Sequence, residues 1–291
     1  MLRGLAMQVE LVRLTTRDGL WLEGAWFEPR GATSLPIDGC LFLHGTGSNF
    51  SAPGVLEAFA TRVAARGVAA LRINTRGHDG IATIHGPKRS IRGGATYEEV
   101  ADCPHDVRAG VDFLTERGCR RIALVGHSMG GVKSAYTLAH EQFAVVARLI
   151  VISSPRFCHA RFMASPRADA FRADFAAAQA AVAAGDPEHL MPVTQPMPFL
   201  ATARGFLDKY GADDRYDLLR HLPKSGCPTL VIIGTRSPEQ SIGFEGLPET
   251  LQELAAAHPH IRVELVEGAN TNYTGCTEVP FERAMRWLEE P

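Results

Sequence analysis

Arg120-Arg121-Ile122-Ala123-Leu124-Val125-Gly126-His127-Ser128-Met129-Gly130-Gly131-Val132-Lys133-Ser134-Ala135-Tyr136-Thr137-Leu138-Ala139 is the stretch that decides the fold. It opens with a short apolar, β-branched run, passes through a G-x-S-x-G pentapeptide and continues into small residues suited to a helix. It therefore reads as strand, sharp turn and helix, the context that a nucleophile elbow requires. In such a turn the serine is held in a strained backbone conformation. Glycine is needed on either side, where a Cβ would strike the neighbouring strand or helix. Ser128 then stands at the mouth of the helix, with the positive end of the helix dipole beneath any oxyanion that forms beside it.

Before the elbow, Gln8 to Thr16 and Leu20 to Glu28 alternate in polarity and are joined through Arg17-Asp18-Gly19, the pattern of a hairpin with a D-G turn. Asp38 to His44 is an apolar strand of the kind buried on both faces of a parallel sheet, and it runs into Gly45-Thr46-Gly47-Ser48-Asn49. Pro53 to Arg66 has helical periodicity with Gly67 as its stop. Val68 to Asn74 is the next strand, leading to Thr75-Arg76-Gly77-His78-Asp79-Gly80. Residues 80 to 96 are rich in glycine and charge and read as loop. A helix lies within Tyr97 to Arg117, interrupted near Pro104.

After the elbow helix, Ala147 to Ser153 is a sixth strand. Composition then shifts, and residues 156–222 are Ala-rich and read as helical, with proline clusters near Pro187 and at Pro192 to Pro198. The β-α alternation resumes at Cys227 to Gly234, Leu247 to Ala257, His260 to Glu267 and Val279 to Glu289. Strands alternating with helices imply a mostly parallel sheet covered on both faces, with any site at the carboxyl ends of the strands.

Composition narrows the function. The 30 Lys and Arg against 32 Asp and Glu leave a formal charge of −2, without the basic footprint of a nucleic-acid binder. No run reaches the roughly 18 apolar residues of a membrane span, and Met1 to Leu14 lacks the continuous apolar stretch of a secretory signal. The six cysteines are scattered with no metal-ligand spacing, the usage of buried reduced thiols in a cytoplasmic protein. No metal site or cofactor is called for. A small-molecule substrate is the expectation, with neither a nucleic acid nor a membrane as partner, and the oligomeric state is not readable.

The order of these pieces resembles the α/β-hydrolase fold over essentially the whole chain. The matching parts are the opening hairpin, His44-Gly45-Thr46-Gly47 after the third strand, Arg76-Gly77-His78 after the fourth, the Gly126 to Gly130 elbow after the fifth and an insertion after the sixth. The resemblance implies a mostly parallel eight-stranded sheet with helices on both faces. Residues 1–155 and 223–291 would form the core, and 156–222 a helical cap. It also implies an oxyanion hole from the backbone N–H groups of Met129 and Thr46, each donor worth roughly 3 to 4 kcal/mol in comparable sites.

The family's acid follows the seventh strand and its histidine the eighth. Here the acid position is Ser237, with Glu239 two residues on as the candidate acid, and the histidine position is Thr271. No histidine follows His260, and a threonine does not accept the serine proton at neutral pH. His258 and His260 lie roughly 20 Å from the active end of the eighth strand. Among the eleven histidines, His78, or alternatively His85, is the best placed to serve as a relocated base. Asn272, Tyr273 and Cys276 share the Thr271 loop, where a tyrosine or thiol of lowered pKa could move a proton. Arg156, His159 and Arg161 could meet an anionic group, and a solvated helical face explains them equally well. His44, Gly45, His127, Thr271 and Tyr273, with Phe157 of the insertion, are the candidates for substrate contact. Three readings stand: an atypical serine hydrolase acting on an ester, thioester or related acyl bond through Ser128; a lyase, isomerase or cyclisation catalyst using the oxyanion hole; and a non-catalytic small-ligand binder. The aromatic and methionine content of the insertion favours an apolar acyl or aromatic ligand.

Overall fold

The computed structural model describes residues 9–290; the first residues of the stretch read above for a signal, 1–8, lie outside it. Eight strands form one sheet: β1 (Glu10–Thr15), β2 (Trp21–Phe27), β3 (Gly39–Leu43), β4 (Ala69–Ile73), β5 (Ile122–His127), β6 (Val146–Ile152), β7 (Thr229–Gly234) and β8 (Ile261–Val266). Their order across the sheet is β1-β2-β4-β3-β5-β6-β7-β8. The hairpin β1–β2 is antiparallel and β2 runs antiparallel to β4, whereas every later pairing is parallel. The fold is that of an α/β hydrolase.

The period of two along each strand sorts the core into two layers. On one face Leu41, Leu43, Leu71, Ile73 and Leu124 pack against α2 (Cys103–Glu116), α3 (Met129–His140) and, further along, α9 (Leu247–Ala257). On the other face Cys40, Phe42, Ala70, Ala123 and Val125 pack against α1 (Val55–Ala65) and α10 (Val279–Glu289). Phe59 of α1 clamps this second layer, edge-on to Phe42 at 5.5 Å and to Phe281 of α10 at 5.3 Å. Fully burying such a ring stabilises by about 1.5–3 kcal/mol.

Between β6 and β7 the chain forms α4 (His159–Ala164), α5 (Asp169–Ala183), α6 (Ala203–Tyr210) and α7 (Leu218–His221). This stretch is less purely helical than its alanine content suggests, because Leu190–Val193 and Phe199–Thr202 pair as an antiparallel ribbon. Phe162, Phe171, Phe175, Phe206 and Tyr210 form an aromatic cluster that docks on Met129, Val132 and Tyr136 of α3. The glycine-rich segment after β4 likewise contains a short ribbon, Ala82–His85 with Ser90–Gly93, where loop was expected. After β7 comes one short α-helix, α8 (Ser237–Gln240), before the already named α9. Among the described residues, no helix is long and apolar enough to cross a membrane.

Candidate active site

Ser128 joins β5 to α3 at φ 53° and ψ −122°, a left-handed backbone that a non-glycine residue adopts only under constraint. Such strain costs on the order of 1–3 kcal/mol and persists where the surroundings over-determine it. Here the Ser128 N–H donates to Ile152 O at 2.9 Å, and Ser154 Oγ donates to Ser128 O at 2.6 Å. The flanking glycines are spatial requirements. A Cβ on Gly126 would lie 2.4 Å from Gly130 backbone atoms, and one on Gly130 would lie 1.9 Å from Leu43 O.

The loop after β3 lies against the serine: a Cβ on Gly45 would fall 3.0 Å from Ser128 Cβ and 3.4 Å from Oγ. Ser48 N–H and the His44 ring both donate to Gly45 O, at 3.2 and 2.9 Å, which fixes the loop's path. His44 therefore carries its proton on Nδ1, and its Nε2 accepts the Thr75 N–H at 3.1 Å. Burial, reinforced by Lys133, pulls its pKa down to about 3. A neutral ring with both nitrogens occupied is a structural post and not a base. Among the described residues, the N–H groups of Thr46 and Met129 donate to no backbone or side-chain acceptor of the protein.

A cavity of about 770 Å³ opens over Ser128. His44, Gly45, Thr46 and His127 reach its wall from the sheet, and Phe157 and Thr271 from the loops above. Of the residues expected in contact with substrate, Tyr273 is elsewhere, and Met129, expected only as an N–H donor, offers the cavity no side chain. The Met129 side chain is buried beneath the insertion, leaving only its N–H relevant. Tyr273 is fully buried in the α1–α10 layer, where its hydroxyl accepts from Ser153 Oγ at 3.1 Å; burial raises its pKa, so it is no proton shuttle.

Among the described residues, no histidine or carboxylate hydrogen-bonds the Ser128 hydroxyl, and the candidates read from the sequence account for why. His78 does not line the cavity; its ring is taken by Asp79 at 2.8 Å. His85 is exposed on the ribbon after β4, bonded to Ser90 Oγ. Glu239 lies on the outer side of α8, 61% exposed and paired with Arg236 at 3.0 Å. That same turn of α8 points Ser237 inward, fully buried, with its Oγ unpartnered. At the end of β8, Thr271 donates its N–H to Gln240 Oε1 at 2.7 Å and accepts from His127 Nε2 at 2.9 Å through its carbonyl. Its Oγ1 is buried without a partner. Burial lowers the pKa of His127.

The basic residues at the start of the insertion serve its architecture. Arg156 forms a forked pair with Asp217, Arg161 donates to Glu245 O, and His159 Nδ1 donates to Tyr210 O. One group of metal-capable atoms, those of Cys158, Asp214 and Asp217, lies within 4.8 Å of one another among the described residues. Asp217 is already claimed by Arg156, and Asp214 by the His159 N–H. Behind the elbow, Glu98 and Lys133 form an ion pair with both side chains 1% exposed, and Lys133 Nζ donates to Thr75 Oγ1 at 2.9 Å. Burial drives the Glu98 pKa up, but Lys133 and Lys209 outweigh it and hold the carboxyl below its ordinary value. The cavity residues that the sequence did not reveal include the polar side chains of Arg72, Arg167 and Gln240. Only Arg72 carried a visible signal, a charge in the middle of an apolar strand.

A family model described as "Alpha/beta hydrolase family" matches residues 40–287. No curated protein matches significantly. Among solved structures, the chain is similar to alpha/beta hydrolase GrgF from Penicillium sp. sh18, with a TM-score of 0.69 at 14% identity over 97% of this chain and 98% of that one. It is also similar to the Pyrococcus furiosus esterase Pf2001, with a TM-score of 0.62 at 18% identity over 98% and 91%. For Est1E from Butyrivibrio proteoclasticus, whose structure holds ferulic acid, the TM-score is 0.65 at 14% identity over 95% and 97%. At these identities the likeness is one of fold.

Proposed function

The chain belongs to the alpha/beta hydrolase family, and from that we propose that it is an atypical serine hydrolase acting on an ester, thioester or related acyl bond. The observation that carries the reading is Ser128 itself, strained at φ 53° at the head of α3, with the undonated N–H groups of Thr46 and Met129 nearby and the cavity above. In this account the substrate carbonyl oxygen is received by those two N–H groups, which stabilise the negative charge that develops on it. Ser128 Oγ forms a bond to the carbonyl carbon, the bond to the alcohol or thiol breaks, and the serine proton departs on that leaving group. Water then cleaves the acyl-serine ester to release the acid. Without an imidazole the reaction favours acyl groups with good leaving groups, and acyl release is the slow step.

Residues 156–222 act in this reading as a cap. They place Phe157 and Met197 around an apolar acyl or aromatic group, for which the cavity wall is suited. The six unpaired cysteines fit a reducing, cytoplasmic setting. Treatment with a fluorophosphonate should modify Ser128 and leave Ser128→Ala unmodified. Absence of the adduct under conditions that label an ordinary esterase would remove the reading.

A second reading is favoured by the unpartnered hydroxyls of Ser237 and Thr271, which stand where the family carries its acid and histidine. A lyase, isomerase or cyclisation catalyst needs the oxyanion hole but no acyl-enzyme. Oxyanion stabilisation and binding alone leave roughly 10³–10⁴ of acceleration in triad-deleted hydrolases. Turnover of the natural substrate by Ser128→Ala separates the two readings.

A further inference from the structure

Arg72 is the least expected residue in the cavity wall. On β4 it lies two residues from Ala70 and so shares Ala70's face toward the α1 layer, beside Phe42 of β3 and Ala25 of β2, while Leu71 and Ile73 face the other side of the sheet. It is 5% exposed, and it lines the cavity together with Val55 and Leu56. A guanidinium has five N–H donors. Among the described residues its one hydrogen bond runs from NH2 to Ala52 O at 2.6 Å, and no carboxylate lies within 4.0 Å of it. Glu57 of α1 is the acidic group that acts on it through space, and Glu57 is exposed to solvent. A buried cation without a counter-ion is costly, so its retention at a cavity wall asks for an anion.

A second, independent feature points to the same place. The 11-residue helix α1 begins at Gly54, whose φ is 125° and which offers no side-chain cap. Its first helical bond runs from Ala58 N to Gly54 O, and the N–H groups of Val55, Leu56 and Glu57 have no protein acceptor among the described residues. Gly54, Val55 and Leu56 all border the cavity. Uncapped N–H groups at the positive end of a helix and a guanidinium without a counter-ion, bordering one cavity, are the two halves of an anion site.

We propose that the Arg72 end of the cavity binds a carboxylate or comparable oxyanion carried by the substrate on the part remote from the reacting carbonyl. Pairing of Arg72 with Phe42, and of Phe42 with Val125, sets Arg72 two strands and three residues from Ser128. That is about 10 Å across the sheet and about 10 Å along it, so the anion is read well away from the acyl chemistry. Arg72 is thus a specificity residue. The inference rests on this cavity being the substrate site but not on acylation of Ser128, and its test reads binding alone.

Octanoate and octanamide, titrated calorimetrically into the intact protein, share a chain and differ in charge. The acid is expected to bind, and the neutral amide to bind at least tenfold more weakly. Arg72→Gln should weaken octanoate by roughly 10- to 100-fold, the range of a lost charge-assisted hydrogen bond, and leave octanamide unchanged, while Arg72→Lys retains part of the preference. Equal affinities for acid and amide in the unmodified protein, or no binding of octanoate, would overturn the proposal without recourse to any variant. So would unchanged octanoate affinity in Arg72→Gln, which would place the carboxylate elsewhere, at the oxyanion hole for instance. Should Arg72→Gln not fold, Arg72→Lys and the acid–amide comparison carry the decision.

Discussion

The ring of His127 donates from Nε2 to the backbone carbonyl of Thr271 at 2.9 Å, tying the residue before the nucleophile position to the end of β8. The main chain of Thr271 is thereby fixed beside the elbow, held also by Gln240, while its side-chain hydroxyl is buried with nothing to bond. The end of β8, where the resemblance puts the family's base, is braced by these bonds, and the residue there does not take a proton.

Thr271→His should restore a proton acceptor at that position, and adding Ser237→Asp should orient it. General-base assistance contributes typically about 10²–10⁴ in rate. The expected result is a rise of that order in kcat/KM for a p-nitrophenyl acyl ester, larger in the double variant than in either single one. No gain in a folded double variant would mean the site has been rebuilt for other chemistry.

Gly130→Ala should destabilise the protein by roughly 1–3 kcal/mol or more through overpacking, because its Cβ would sit 1.9 Å from Leu43 O. Gly118→Ala is the control. Its φ of +95° makes alanine strained, but no atom lies within 4 Å of the added carbon, so about 1 kcal/mol is expected. Urea unfolding midpoints of the two variants measure the difference.

His44 sets a pH signature. Its folded pKa is pulled by burial to about 3, while in the unfolded chain it titrates near its ordinary ~6.5. The unfolded state therefore binds the extra proton between these values, and stability is lost as pH falls through that window. The slope approaches about 1.4 kcal/mol per pH unit for one such group, and His127, also lowered by burial, adds in the same sense. His44→Gln should flatten the fall in urea midpoint between about pH 6 and pH 4; an undiminished slope would show that other groups produce it.

Lys133→Met should cost about 3–5 kcal/mol, the penalty for leaving a buried charge without its partner, since Glu98 would keep only the neighbouring Lys209. Lys133→Met with Glu98→Gln should recover much of that loss. Thermal melts of the three proteins decide whether the pair is coupled in this way.

Most of the fold could be read from the chain, because the sheet strands are short apolar or alternating runs bounded by turn residues, and Gly126 to Gly130 has one conformation that fits strand, turn and helix. The ribbons at 82–93 and 190–202 were hidden. Their strands are four residues long, and glycine, charge and Pro192 mask the alternation. Distance along the chain made Glu239 a candidate acid, yet two residues of α8, a little over half a turn, separate an inward Ser237 from an outward Glu239. His78 sits at the correct end of β4 and still misses the cavity, its ring bonded to the neighbouring Asp79. Tyr273 shares a loop with Thr271 but turns inward at φ 52° to fill the core. Arg72 became meaningful only once the register placed it on the α1 side of β4, since a strand's sequence does not say which face meets a cavity.

The central claim is that Ser128 is a competent nucleophile lacking its usual base. Rapid mixing with a p-nitrophenyl acyl ester, followed by intact-protein mass spectrometry, tests it most directly. The account predicts a burst of up to one equivalent of p-nitrophenol, an acyl mass increment mapped to Ser128, slow subsequent release, and neither burst nor adduct in Ser128→Ala. Absence of any adduct on Ser128, or release of p-nitrophenol at the same rate from Ser128→Ala, would contradict it.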